Sequence, residues 1–149
     1  MQCTRTFSLI IHASPSIVFP LLCPERETEW IPGWKYEWIY SKTGFIHECC
    51  LFKTHEYDRE TLWMVSEYDP ALHTIVFIHF AHELLTARFS VSLFPEEHSS
   101  TRIEVEYVFT PLSEKGTMYI DTELSEARLQ EDMNAMEHLL NAFIQESHA

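Results

Sequence analysis

Glycine is scarce in this chain. Three occur in 149 residues, Gly33, Gly44 and Gly116, and they lie too far apart to build a Gly-rich phosphate loop. Positive charge is scarce too. Ten Lys and Arg face 23 Asp and Glu, for a net charge of −13. Binding to nucleic acid depends on neutralising phosphates with cations, so a nucleic-acid partner is not expected. An anionic membrane surface should repel the chain. No segment approaches the ~20 apolar residues of a membrane span, so membrane insertion is not expected either. The opening "MQCTRTFSLIIHAS" has no signal-peptide pattern, which makes a reducing cytoplasm the expected location. The four cysteines, Cys3, Cys23, Cys49 and Cys50, form no CxxC pair; reduced thiols fit better than a zinc site. The nine histidines show no HxH or HExxH spacing, and no GxSxG occurs. No metal and no cofactor is therefore expected.

The composition is that of a globular chain. It is 46% hydrophobic and 22% charged, and a domain of this length buries about 70% of its unfolded surface. One domain over residues 1–149 is expected. Residues 4–13 alternate and read as a strand. Ser14 and Pro15 suit the start of a short helix, and Pro24 with the acids after it suits a second. Six strand-like runs follow, over residues 35–41, 45–55, 61–68, 73–80, 84–94 and 101–112, each closed by turn residues. The last alternates cleanly, with Ile103, Val105, Tyr107 and Phe109 against Arg102, Glu104 and Glu106, as in an antiparallel sheet with one wet face. From about Ser113 the period changes. Leu129, Met133, Met136, Leu140 and Phe143 step by four, three, four and three, one stripe of a long amphipathic helix. The expected fold is α+β: a seven-stranded, curved antiparallel sheet covered by one long C-terminal helix, with two short helices after the first strand. A curved sheet and a straight helix do not match everywhere, and the gap between them would form a ligand pocket.

"ERETEWIPGWKYEW" holds three of the four tryptophans, Trp30, Trp34 and Trp38, around Pro32-Gly33. Rings beside a chain break suit a packed corner or the rim of a pocket. The stretches "SPSIVFPLLCPERETEWIPGW", "TLWMVSEYDP" and "TRIEVEYVFTPLSEKG", with the C-terminal helix, give an order that resembles the helix-grip fold of the START-like (SRPBCC) superfamily over the whole chain. That superfamily includes lipid-transfer domains, birch-pollen-allergen-like proteins and aromatic polyketide cyclases. The resemblance implies a V of two short helices supporting one end of the long helix. It also implies a cavity that holds a small hydrophobic molecule: a lipid, polyketide or aromatic metabolite. A cyclase, dehydratase or hydrolase using the same cavity is the alternative, and a ligand-free interaction module with a filled core is a third. The superfamily shares no catalytic motif, so the resemblance does not decide whether the chain is an enzyme.

Strand parity supplies candidate lining residues. With Tyr107 and Phe109 inward, Phe89 and Val91 follow on the preceding strand. A two-residue turn at His82-Glu83 would pair Ala81 with Leu84 and turn Thr74, Val76, Ile78 and Phe80 inward, leaving His73 and His79 outside. Trp63 and Val65 come next, then Phe52, Cys50 and Glu48. Trp30 and Trp34 would either close one end of the cavity or join the V to the helix. Met133, Met136 and Leu140 would line it from the helix, or fill core. Glu48, with Tyr107 as partner, is the candidate acid–base pair, since burial raises a carboxyl's pKa.

Overall fold

The computed structural model describes residues 1–56 and 59–147. Strand β1 (Cys3–Ile11) leads into helix α1 (Pro15–Val18), a 3₁₀ turn (Phe19–Leu21) and helix α2 (Pro24–Glu27). Both helices have proline at a first-turn position, where its missing N–H is no loss. Strands β2 (Tyr36–Tyr40), β3 (Leu51–Glu56), β4 (Arg59–Asp69), β5 (Thr74–Ala81), β6 (Leu85–Glu96) and β7 (Ser100–Pro111) follow. Helices α3 (Glu114–Thr122) and α4 (Glu126–Ser147) complete the chain. The seven strands form one antiparallel sheet in the order β1-β7-β6-β5-β4-β3-β2, the α+β arrangement expected. The turn expected between β3 and β4 includes residues 57–58, outside the described residues.

Three features differ from expectation. The C-terminal helical segment is two helices rather than one. The break ends at Ser125, whose hydroxyl accepts from Arg128 N at 3.3 Å; serine competes for backbone donors in this way and starts helices well. The second strand of the run begins six residues late. Residues 46–50 form a turn instead, in which Cys50 N donates to His47 O (3.2 Å) and Cys49 stands at φ 69°. The hairpin between β5 and β6 pairs Ala81 with Leu85, a three-residue loop with Glu83 in the left-handed region at φ 64°. That single extra residue inverts the parity expected for β5. Ile75, Phe77, His79 and Ala81 face the concave side with Phe89 and Val91, while Val76, Ile78 and Phe80 stand on the other face. A bulge at Ser66, between the pairs Val65–Phe77 and Glu67–Val76, restores the register for β4. Trp63 and Val65 therefore face inward as expected: the misjudged loop and the unread bulge cancel.

Helix α4 is tied to the exposed edge of β1. Ile10 N donates to Glu137 Oε2 (2.8 Å) and His12 N to Asn141 Oδ1 (2.8 Å), and Asn141 Nδ2 donates to Ile10 O (3.0 Å). Two residues one helical turn apart thus occupy free backbone groups of an edge strand. This fixes the distance at which α4 crosses the sheet. Fully buried between the sheet and the helices are Ile11, Val18, Phe109 and Leu140, and Thr101 Oγ1 donates to Ala13 O at 2.7 Å. Helix α3 sits against the β5–β6 loop at Gly116, where an added Cβ would stand 1.8 Å from Leu84 O.

Candidate functional site

Between the sheet's concave face and α4 lies a cavity of about 420 Å³. Its floor is a ladder of rings contributed by successive strands. Phe52 stacks on Trp63 (5.7 Å, 4°), Phe77 on Phe89 (5.7 Å, 21°) and Phe89 on Tyr107 (4.4 Å, 9°). Phe52–Trp63, Phe77–Phe89 and Phe89–Tyr107 are directly paired residues on neighbouring strands. Stacking follows from that register, since paired side chains stand side by side. Leu9, Val91, Ile103 and Val105 fill the rest of the floor. Leu129, Met133, Met136 and Leu140 of α4 form the roof, one helical face at steps of four, three and four.

The end wall comes from α2 and the turns after it. Glu27, Trp30, Ile31 and Trp34 all line the cavity. Their spacing, i, i+3, i+4 and i+7, is that of one helical face, although helix α2 itself ends at Glu27. Ile31 N donates to Glu27 O (2.9 Å) in one further helical turn, and a turn with Gly33 at φ 74° follows, in which Trp34 N donates to Ile31 O (3.2 Å). Both indole N–H groups are held from behind. Trp30 Nε1 donates to Leu21 O (2.9 Å) and Trp34 Nε1 to Pro24 O (3.0 Å). The two tryptophans are thus anchored to the V of short helices while their rings line the cavity. Trp30 is buried and Trp34 half-buried. With the exposed Asp132 and Ala135 of α4, also in the lining, Trp34 marks the mouth.

Of the lining residues expected from parity, Trp30, Trp34, Phe52, Trp63, Phe89, Val91, Tyr107, Met133, Met136 and Leu140 come together here. Val76, Ile78 and Phe80 do not, because the longer β5–β6 loop turns them to the convex face. Glu48 does not either. It is exposed in the turn before β3, so Glu48 and Tyr107 form no acid–base pair. His79 is a correction in the opposite direction. It stacks on Trp63 from the concave side (4.4 Å, 29°), its Nδ1 is buried without a hydrogen-bond partner among the described residues, and burial lowers its pKa to about 4.

Two acids line the cavity, Asp132 at the mouth and Glu27 in the end wall; the pKa of Glu27 is the more strongly shifted. Burial, with a smaller contribution from the Glu25 charge, pushes its pKa up to about 8. It therefore holds its proton at neutral pH, poised to donate a hydrogen bond or a proton. Among the described residues its carboxyl makes no hydrogen bond and no salt bridge. Glu25 points elsewhere: one carboxyl oxygen accepts from Ile46 N at 3.0 Å and the other is buried without a partner among the described residues. At the mouth, partial burial and the neighbouring Glu131 raise the Asp132 pKa, with Arg128 opposing. No cluster of three or more metal-ligating side chains occurs among the described residues, and none of their helices is long and apolar enough to cross a membrane.

A ring-floored cavity between one curved seven-stranded sheet and a C-terminal helix, closed by a V of short helices, is a specific architecture. This is the helix-grip fold. No protein-family profile matches the chain, and no curated protein matches it in sequence. Solved helix-grip structures match it closely in shape. The chain is similar to Ara h 8.0201 (TM-score 0.74, 12% identity, 98% of this chain and 99% of that one). It is similar to norcoclaurine synthase from Thalictrum flavum (0.69, 12%, 94% and 87%). It is similar also to a START superfamily protein from Mycobacterium smegmatis (0.70, 11%, 96% and 97%). At these identities the likeness establishes the fold and leaves the site to be argued from its own residues.

Proposed function

We propose that this protein binds a small hydrophobic molecule in the helix-grip cavity. The observation that carries the reading is the cavity itself: about 420 Å³, within the range of small-molecule sites, with a wall that is apolar apart from Glu27, Asp132 and Tyr107. An interaction module with a filled core would have no such space. Trp30, Trp34, Phe52, Trp63, Phe89, Val91, Tyr107, Met133, Met136 and Leu140 are the ligand contacts in this reading, with Phe77 and Glu27 added to them. Residues 1–149 act as one domain, without a cofactor, in a reducing cytoplasm that suits the buried unpaired thiols of Cys23 and Cys50.

A neutral fluorescent probe, N-phenyl-1-naphthylamine, tests this by energy transfer from the tryptophans of the wall. Trp34→Ala should weaken probe binding about tenfold while lowering stability by no more than about 2 kcal/mol, because Trp34 is only half-buried. Trp30→Ala, at 6% exposure, should destabilise by about 3–5 kcal/mol. Equal losses of binding and stability at Trp34 would make it a packing residue.

One observation favours a second reading. Glu27 is a protonated acid inside a ligand-sized cavity, and perturbed carboxyls of this kind serve as general acids. A synthase shares the fold. In this reading Glu27 protonates the bound molecule, and Glu27→Gln abolishes turnover while the complex still forms. Turnover unchanged by that substitution would leave binding alone.

A further inference from the structure

We propose that the molecule this cavity takes is an organic cation, an amine or ammonium group on an apolar, ring-sized body, with Glu27 as its counter-ion. The inference rests on the binding reading above and names the class of ligand. It starts from the charges of the wall. Among the lining residues none is Lys, Arg or His, and two, Glu27 and Asp132, are acids. A fatty acid, a phosphate ester or any other anion entering here would find no cation to receive it and would lose its hydration against carboxylates.

The second observation is what Glu27 lacks. Carboxylates shielded from water are as a rule paired or hydrogen-bonded, yet the half-buried side chain of Glu27 makes no hydrogen bond or salt bridge among the described residues. The cation nearest in sequence, Arg26, bonds to Glu29 instead. A ligand ammonium supplies the missing partner. A neutral molecule accepting one hydrogen bond would need a single donor, and would explain neither the second acid at the mouth nor the sign of its surroundings. Glu25 beside Glu27 and Glu131 beside Asp132 add negative potential, opposed only by Arg128 among the groups acting on this pair of acids. The net charge of −13 extends the same field outward, where it draws cations to the mouth.

Protons follow from this pairing. In the empty cavity the carboxyl is protonated at neutral pH, its pKa near 8. The groups that share its surroundings are Glu25 on its own helix, and Asp132 of α4 and Tyr107 of β7 across the cavity. A protonated amine entering from water keeps its own proton. Glu27 gives one up to solvent, so that R–NH₃⁺ and Glu27–COOH become an ammonium–carboxylate pair and H⁺. Close to one proton is therefore released per ligand at pH 7, and affinity rises about tenfold for each pH unit from 6 towards 8.

Three probes of one shape separate the possibilities: 2-naphthylmethylamine, 2-naphthylmethanol and 2-naphthoate, titrated by calorimetry at pH 6, 7 and 8 in buffers of differing ionisation enthalpy. The expected result is amine binding at least tenfold tighter than alcohol at pH 8, a shrinking advantage towards pH 6, proton release near one at pH 7, and naphthoate weakest. Glu27→Gln, nearly isosteric, should remove the amine's advantage over the alcohol and the pH dependence together. Asp132→Asn, at the exposed mouth, should cost the amine about two- to threefold and serves as a second, surface variant. Alcohol binding as tight as amine at pH 8, or an amine preference surviving Glu27→Gln, overturns the inference and leaves the cavity reading standing. Binding of none of the three overturns both.

Discussion

Glu27→Gln should stabilise the protein, and by an amount that grows with pH. The unfolded carboxyl ionises near 4.5 and the folded one near 8. Below pH 4.5 both states hold the proton and the carboxyl adds no pH dependence. Between 4.5 and 8 the unfolded chain has released the proton and the folded chain has not, so the unfolded state binds fewer protons and stability falls as pH rises. Above 8 both are ionised and the loss is complete. The interval corresponds to at most about 5 kcal/mol. The mouth is open beside Glu27, and water relaxing around the carboxylate roughly halves that figure, giving about 2–3 kcal/mol. Glutamine keeps the shape and never ionises. Urea unfolding followed by tryptophan fluorescence at half-unit steps from pH 4 to 9 should show the two proteins with similar midpoints near pH 4.5 and diverging ones up to pH 8. Parallel curves, or a variant less stable at pH 8, would refute the enclosed-carboxyl argument on which the site rests.

His79 has its pKa lowered to about 4 by burial against 6.5 unfolded, so it should cost nothing above pH 6.5 and remove up to about 3 kcal/mol as pH falls to 4; His79→Phe should flatten that acid limb, and an unchanged limb would place the lost stability elsewhere. Gly116→Ala would drive a Cβ against Leu84 O, at 1.8 Å, and disturb the 2.7 Å bond from Leu112 N to that carbonyl. A loss of about 2–3 kcal/mol in thermal unfolding is expected, whereas a neutral result would mean α3 shifts freely on the β5–β6 loop.

The sheet was legible because period two is a strong signal where one face is wet. Ile103, Val105, Tyr107 and Phe109 alternate with charges, and their facing followed directly. It failed at β5 because Thr74 to Ala81 is apolar at nearly every position, which leaves parity to the turn alone, and one residue in the β5–β6 loop decides it. Glu48 was misplaced because a run of strand-forming residues hides the left-handed Cys49; no composition signal marks such a turn without Gly or Asn. Glu27 was missed for a different reason. Acids in a first helical turn are ordinary partners of the helix dipole, and Glu27 reads as one of them. The spacing of Glu27, Trp30, Ile31 and Trp34 was present in the sequence. Pro32-Gly33 hides it by ending the helical geometry, but the turn through Gly33 at φ 74° brings Trp34 back to the same wall.

The central claim is that the space between sheet and α4 is a binding site. The most direct test is native mass spectrometry of the protein with N-phenyl-1-naphthylamine, beside Ala135→Trp, a substitution that places an indole at the exposed mouth without touching the core. One probe per chain, absent from Ala135→Trp and released on denaturation, is the predicted result. No adduct, or an equal adduct in the plugged variant, would contradict it.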